Sequence, residues 1–155
     1  MMENETTVKL LLETDRVDVN WIGSAFDCTP LIRAVQTGDE GTVRLLLTRS
    51  SIDVNLGDRR KDRTPLAWAA WYGDEAVVRL FLSTGAVNAD AKNRHGQTPL
   101  LLAAARGYEA VVKLLLSTRT VDVDAADVKG ETPLFVAARR GHRAVVKLLS
   151  DASYC

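Results

Sequence analysis

The apolar positions of this chain fall into short blocks with helical spacing, and two kinds of block alternate. One kind is rich in alanine, as in LAWAA and LLLAA, and the other is rich in valine and leucine, as in AVVRLFL and AVVKLLL. A glycine lies between the two blocks of each pair, at Gly38, Gly73, Gly107 and Gly141. Because glycine readily ends a helix with a positive φ, the pattern predicts pairs of short helices joined by tight turns.

The helix pairs recur with a nearly fixed period. Thr-Pro-Leu opens each Ala-rich block, at Thr29, Thr64, Thr98 and Thr132, with spacings of 35, 34 and 34 residues. Threonine can cap a helix N-terminus, and proline suits the first helical position, where no backbone N–H is needed. Two helices this short cannot bury their own apolar faces. The sequence therefore predicts repeated units that are stable only when stacked on one another.

With these motifs the chain resembles an ankyrin-repeat protein. The family pattern, Gly-x-Thr-Pro-Leu followed by paired alanines, a glycine and a Val- and Leu-rich helix, appears most fully at residues 96–116 and 130–149. The hairpin signature of the family appears as VDVN, IDVN and VDVD. The segments AWAA and VDVN are also similar to the repeat sequences of the long ankyrin arrays of filamentous fungi.

The resemblance implies an all-α solenoid of helix-turn-helix units joined by β-hairpin loops. It implies one ankyrin-repeat domain over residues 1–155, with a half repeat at residues 1–28 and repeats that begin at residues 29, 64, 98 and 132. Asp27 and Asp62 stand where the hairpin glycine belongs, in hairpins one residue longer than the later two. Both ends keep internal-repeat character, so we hypothesise that the chain is cut from a longer array. We expect a monomer, with end-to-end association through uncapped terminal repeats as the alternative.

Composition narrows the classes of partner. The chain has 20 Lys and Arg and 20 Asp and Glu, so no net charge draws it to nucleic acid or to an anionic membrane. Its start lacks the pattern of a secretory signal, and its longest apolar run, Leu66 to Tyr72, is too short to span a bilayer. Cys28 and Cys155 show neither metal-ligand nor disulfide-framework spacing. We expect an intracellular protein, cytoplasmic or nuclear, that binds no membrane, cofactor or metal.

The resemblance places partner binding on the concave side, which hairpin tips and the exposed ends of first helices form. Carried over position by position, the candidate partner-binding residues are Phe26, Gln36, Arg60, Arg63, Trp71, Tyr72, Arg94, His95, Gln97, Arg106, Lys129, Arg139 and Arg140. Aromatic and arginine side chains often dominate protein interfaces. We therefore hypothesise an aromatic centre with a basic rim that docks an acidic or extended segment of a partner protein.

Other interpretations of the same residues stay open. Basic tips near aromatic residues are also compatible with nucleic-acid or other polyanion binding, although the last hairpin, VDVDAADVKGE, has four acidic residues and one basic residue. Basic tips are also often simply solvated loops. Trp68 is expected to pack between helices, and His142 is expected to be structural and to help cap the second helix.

A catalytic role has the least support. The chain contains no G-x-S-x-G, no G-x-x-x-x-G-K and no H-E-x-x-H motif. The carboxylates Asp39, Glu40, Asp74 and Glu75 begin second helices, where negative charge is favourable without any catalytic function. We therefore predict a non-catalytic protein.

Overall fold

The computed structural model describes residues 18–22 and 27–153, and within these ranges it contains eight α-helices in four pairs. The first helices of the pairs are α1 (Pro30–Thr37), α3 (Pro65–Tyr72), α5 (Pro99–Arg106) and α7 (Pro133–Arg139). The second helices are α2 (Glu40–Leu47), α4 (Glu75–Ser83), α6 (Glu109–Ser117) and α8 (Arg143–Ser153). Most of the predicted half repeat, with the candidate Phe26, lies outside the described residues.

The first helices begin as the sequence predicts, and three of the four end at the predicted glycine, whereas α7 ends at Arg139 with Arg140 as its cap. The hydroxyl oxygen of Thr64 accepts a hydrogen bond of 3.3 Å from the N–H of Ala67, and the other three motif threonines cap their helices in the same way. Proline follows each cap. Gly38, Gly73 and Gly107 end their helices with φ between +68° and +76°. Local sequence therefore sets both ends of these short helices.

Two of the second helices, α2 and α4, start on side-chain caps, and α2, α4 and α6 each carry an exposed ion pair. Asp39 and Asp74 each accept a hydrogen bond from a backbone N–H in the first turn. Glu40, Glu75 and Glu109 pair with the basic residue four positions later, Arg44, Arg79 and Lys113 respectively. The recurrent carboxylates thus stabilise helices, as predicted.

Stacking of the pairs buries a continuous core. First helices pack on first helices in the order α1, α3, α5 and α7. Second helices pack on second helices in the order α2, α4, α6 and α8. The paired alanines of α3 and α5 are completely buried, and Leu66, Leu100 and Phe81 are among the large side chains sealed between repeats. This arrangement confirms the predicted all-α repeat solenoid.

The hairpin tips are joined from one repeat to the next by backbone hydrogen bonds. The N–H of Arg94 donates to the carbonyl of Lys61 at 2.8 Å, and the N–H of Val128 donates to the carbonyl of His95 at 3.0 Å. Asp27 and Asp62 have φ of 53° and 56°, the left-handed region that glycine normally occupies. The tips therefore form a row with fixed spacing along the solenoid.

Candidate partner-binding groove

A groove lies between the row of hairpin tips and the first helices, with a volume of about 340 Å³. We call it the central groove. It brings together seven of the predicted binding residues, which come from three successive repeats: Arg63, Trp71, His95, Gln97, Lys129, Arg139 and Arg140. The other lining residues are Lys61, Leu101, Leu102, Ala105, Asp127, Val128, Glu131 and Val136.

Trp71 forms the aromatic part of this groove, with two guanidinium groups over its ring. The guanidinium carbon of Arg106, from the next repeat, lies 3.7 Å from the ring centroid, and that of Arg63 lies 4.6 Å away. Arg63 also lies 4.4 Å from the ring centroid of Trp68. Cations near indole rings are attracted to the ring quadrupole, most strongly where water is excluded. The contacts join a hairpin tip, α3 and α5 in one cluster.

Arg63 is buried, although the sequence placed it at a loop tip. It is only 4% exposed, and no hydrogen bond or ion pair of its guanidinium is present within the part of the chain that the structure describes. Burial lowers the pKa of Arg63, and the nearby Asp58 carboxylate opposes this shift. A buried cation without an acceptor is costly, so this side chain requires an explanation beyond packing.

Trp68 and Tyr72 lie beside this cluster. Trp68 is half-buried against the core, as predicted, and its indole N–H donates to Oδ2 of Asp58 at 2.8 Å. Tyr72 is 47% exposed and stacks on Trp68, with ring centroids 5.6 Å apart. Tyr72 does not line the central groove. It therefore lies at the edge of the aromatic cluster.

Two basic residues at the C-terminal end of α7, Arg139 and the following Arg140, are already engaged. Arg139 makes a two-pronged ion pair with Glu131. Arg140 donates to the carbonyl of Ala105 at 2.9 Å, and Nε2 of His142 lies 3.2 Å from the same oxygen. His142 is thus structural, but its side chain contacts the preceding repeat and does not cap its own helix.

Other predicted cations are exposed at the tips. Lys61, Lys129 and Arg94 are exposed, and the structure gives none of them a side-chain ion pair among the described residues. Lys61 and Lys129 line the central groove, whereas Arg94 does not. The groove therefore has two unpaired lysines at its rim.

Gln36 and Arg60 line a separate cleft of about 400 Å³, one repeat closer to the N-terminus. Nε of Arg60 lies 3.0 Å from Oδ2 of Asp27, so this cation is paired. Cys28 lines the same cleft and is 5% exposed, and burial raises the pKa of its thiol. The twelve predicted residues that the structure describes thus do not form one surface. The structure divides them between this cleft, the central groove and the solvent.

Asp58 is the residue of this region that the sequence interpretation missed. Its Oδ1 accepts hydrogen bonds from the backbone N–H groups of Arg60 and Lys61, and its Oδ2 accepts from Trp68. Asn93 and Asp127 fix the next two tips in the same way. An Asp or Asn five or six residues before each of Thr64, Thr98 and Thr132 was the available signal.

Two classes of site have no geometric support in the described residues. Across residues 18–22 and 27–153, no group of His, Cys, Asp or Glu side chains could hold a metal ion. None of the eight helices is long and apolar enough to cross a membrane.

Comparison with known proteins identifies the family. A family model described as ankyrin repeats in three copies matches residues 1–93 and again residues 84–155, which together span the whole sequence. No curated protein matches the chain. Ankyrin repeats are generally modules for protein–protein interaction and are typically non-catalytic. The match carries no information on source, so the likeness to fungal arrays stays a prediction. With its capped helix pairs, its stacked hairpin tips and this match, the chain belongs to the ankyrin-repeat family.

Proposed function

We propose that this chain is a non-catalytic recognition module that binds an extended, acidic segment of a partner protein in the central groove. The observation that carries the proposal is the charge of this groove. Its lining has five Lys and Arg residues but two acidic ones, Asp127 and Glu131, and Glu131 pairs with Arg139. Arg63, Lys61 and Lys129 have no acidic partner among the described residues. The excess of positive charge is complementary to an acidic ligand.

The aromatic content of the groove also supports protein recognition. Tryptophan, tyrosine and arginine are the residue types that most often dominate binding energy at protein interfaces. Trp71 and Arg106 are held by stacked repeats, so binding requires little ordering of the groove. An extended segment suits the shape, because the groove runs along tips and helices of three successive repeats.

Nucleic-acid binding is the competing function, and the geometry favours it less. Base stacking needs open aromatic faces, but two guanidinium groups already lie over Trp71. The cations Arg139 and Arg140, at the C-terminal end of α7, are bound to Glu131 and to a backbone carbonyl, respectively. Nucleic-acid binding would also weaken by orders of magnitude as salt rises, so salt dependence separates the two functions.

The experiment is a selection of displayed random peptides on the full chain. Selected peptides are then measured on two variants. Trp71→Ala/Arg106→Gln removes the aromatic centre, and Arg79→Gln removes an exposed arginine of α4 that does not line the groove. The proposal predicts binders that lose affinity on the double variant and keep it on Arg79→Gln. Selected peptides that bind all three proteins equally would contradict it, as would a selection that yields no binder.

A second arm tests the competitor directly. Fluorescent single-stranded DNA is titrated into the wild-type chain at low and at high salt. We expect no specific binding beyond a weak attraction that salt abolishes. Tight binding that depends on Lys61 and Lys129 would instead make the basic tips a polyanion site.

A further inference from the structure

Arg63 is a buried cation whose hydrogen-bonding groups are unused. The side chain is 4% exposed, and the backbone carbonyl of the same residue is fixed by the N–H of Asp58 at 3.1 Å. Nε of Arg63 is sealed from solvent and has no partner among the described residues. The terminal Nη groups have no partner either within residues 18–22 and 27–153, and they are not among the sealed atoms.

The neighbouring side chains that the structure describes hold this guanidinium in place but accept no hydrogen bond from it. Trp68 and Trp71 lie 4.4 and 4.6 Å from it, and their ring faces attract positive charge but accept no strong hydrogen bond. Burial lowers the pKa of Arg63, and the Asp58 carboxylate opposes this larger effect by raising it. The oxygens of Asp58 are occupied by the indole N–H of Trp68 and by two backbone N–H groups.

Arg63 also lines the central groove, so its open Nη groups are the ones that a ligand can reach. Two indole rings lie against the guanidinium, so an acceptor approaches from the side where the Nη groups meet the groove. A carboxylate is planar and binds such a fork through two parallel N–H···O bonds. Lys61 and Lys129 at the rim attract negative charge toward the same point.

We propose that Arg63 binds one carboxylate, the side chain of an aspartate or glutamate in the bound segment. This carboxylate accepts hydrogen bonds from both Nη groups. This proposal rests on the proposed function and makes it specific, because it names the anchor residue and the chemical group that the anchor binds. Acidic residues elsewhere in the segment then contribute only through the exposed lysines.

The test uses three short peptides and the resonances of the arginine side chains. Acetyl-Ala-Glu-Ala-amide, its Gln counterpart and its phosphoserine counterpart are titrated into the ¹⁵N-labelled full chain, and Arg63→Lys assigns the Nε–H resonance of Arg63 by its disappearance. We expect a saturable shift of this resonance with the Glu peptide, at concentrations at least about tenfold lower than any shift with the Gln peptide. Equal effects of the two peptides, or no shift at Arg63, would overturn the proposal. Tighter binding of the phosphoserine peptide would also overturn it and assign a phosphate site.

Variants give an independent readout. Arg63→Lys keeps the charge and loses the planar fork, so the affinity of the Glu peptide should fall about tenfold, while Arg79→Lys should leave it unchanged. Circular dichroism shows whether Arg63→Lys folds, and if it does not, the comparison of Glu with Gln on the wild type decides. Selected acidic peptides that need the groove but bind a folded Arg63→Lys variant as tightly as the wild type would reject this proposal and leave the proposed function standing. If the Glu peptide shifts the Arg63 resonance but the selection of displayed peptides yields no binder, the carboxylate site is supported and the proposed function is contradicted.

Discussion

The indole N–H of Trp68 donates a hydrogen bond of 2.8 Å to Oδ2 of Asp58, ten residues earlier in the chain. The other oxygen of Asp58 holds the tip of the hairpin through the N–H groups of Arg60 and Lys61. One carboxylate therefore connects a hairpin tip to α3. It also positions the tryptophan that lies against Arg63. The position of Arg63 in the central groove and the local fold thus depend on the same pair of residues.

Trp68→Phe should destabilise the protein by about 1 to 3 kcal/mol, because it leaves Oδ2 of the buried Asp58 without a donor while keeping most of the apolar contact. Urea unfolding followed by circular dichroism measures the change. The matched control is Phe135→Leu, which alters an exposed aromatic residue and should change stability little. Equal stability of Trp68→Phe and the wild type would show that the hydrogen bond contributes nothing.

The sequence predicts the scaffold well because its signals are local. Thr64 caps α3 through a residue three positions away, and Gly73 ends the same helix by its own φ of 75°. Each repeat carries these signals in one short stretch, so their period identifies the fold. Packing of the repeats then follows from the apolar stripe.

The groove is less predictable because it depends on side chains that meet across repeats. Arg63 reads as an exposed loop residue, but it is buried since two tryptophans of α3 lie against it. Arg106 reaches Trp71 from the next repeat, and Arg139 forms an ion pair with Glu131. Residue spacing in the sequence predicts neither contact. Sequence position therefore indicates seven of the residues that line the central groove, whereas only the structure distinguishes paired charges from unpaired ones.

Asp90 is expected to be a weak point in the row of hairpins. Asn20 and Asn55, at the same position of earlier repeats, each accept a backbone N–H of the next hairpin and donate their amide N–H to a backbone carbonyl. Asp90 accepts from the N–H of Asp122 at 2.8 Å, but it cannot donate, and its Oδ1 is buried without a partner among the described residues. The corresponding carbonyl two residues before Asp122 is that of Thr120.

Asp90→Asn should therefore stabilise the protein by about 1 kcal/mol, through one added hydrogen bond and the loss of a buried unpaired oxygen. Urea unfolding at neutral pH is the measurement. Asp124→Asn is the control, because Asp124 holds the equivalent position in the last hairpin, is exposed and has no side-chain hydrogen bond in the described part of the chain. A destabilised Asp90→Asn variant would mean that the carboxylate has a favourable role that these contacts do not reveal.

Gly73 and Gly38 offer a matched test of contact between repeats. Both glycines end a first helix at positive φ, so alanine at either site costs about 1 kcal/mol in backbone strain. At Gly38 an added Cβ meets no atom within 4 Å, whereas at Gly73 it lies 2.7 Å from Cδ1 of Tyr108 in the next repeat. Gly73→Ala should therefore lose about 1 to 3 kcal/mol more than Gly38→Ala in urea unfolding. Equal losses would indicate that Tyr108 moves aside at no cost.

Cys28 should make stability depend on alkaline pH. Burial raises the pKa of its thiol; the Arg33 guanidinium opposes this shift, and the Asp58 and Asp27 carboxylates add to it. In the unfolded chain the thiol titrates near its ordinary value of 9.0, so there the thiolate forms first. The contribution is fully present below that pH and is lost as pH rises toward the higher pKa of the folded state.

Thermal unfolding from about pH 7 to about pH 10 tests this in two variants, Cys155→Ser and the double variant Cys28→Ser/Cys155→Ser. Tm should fall more steeply above about pH 9 in the protein that retains Cys28, while groups common to both proteins contribute equally. Alkylation by iodoacetamide provides a second readout, since a buried thiol with a raised pKa should react much more slowly in the folded protein than in urea. Parallel pH curves together with rapid alkylation of the folded Cys155→Ser variant would show that Cys28 is accessible and titrates normally, and its cleft would then have to open in solution.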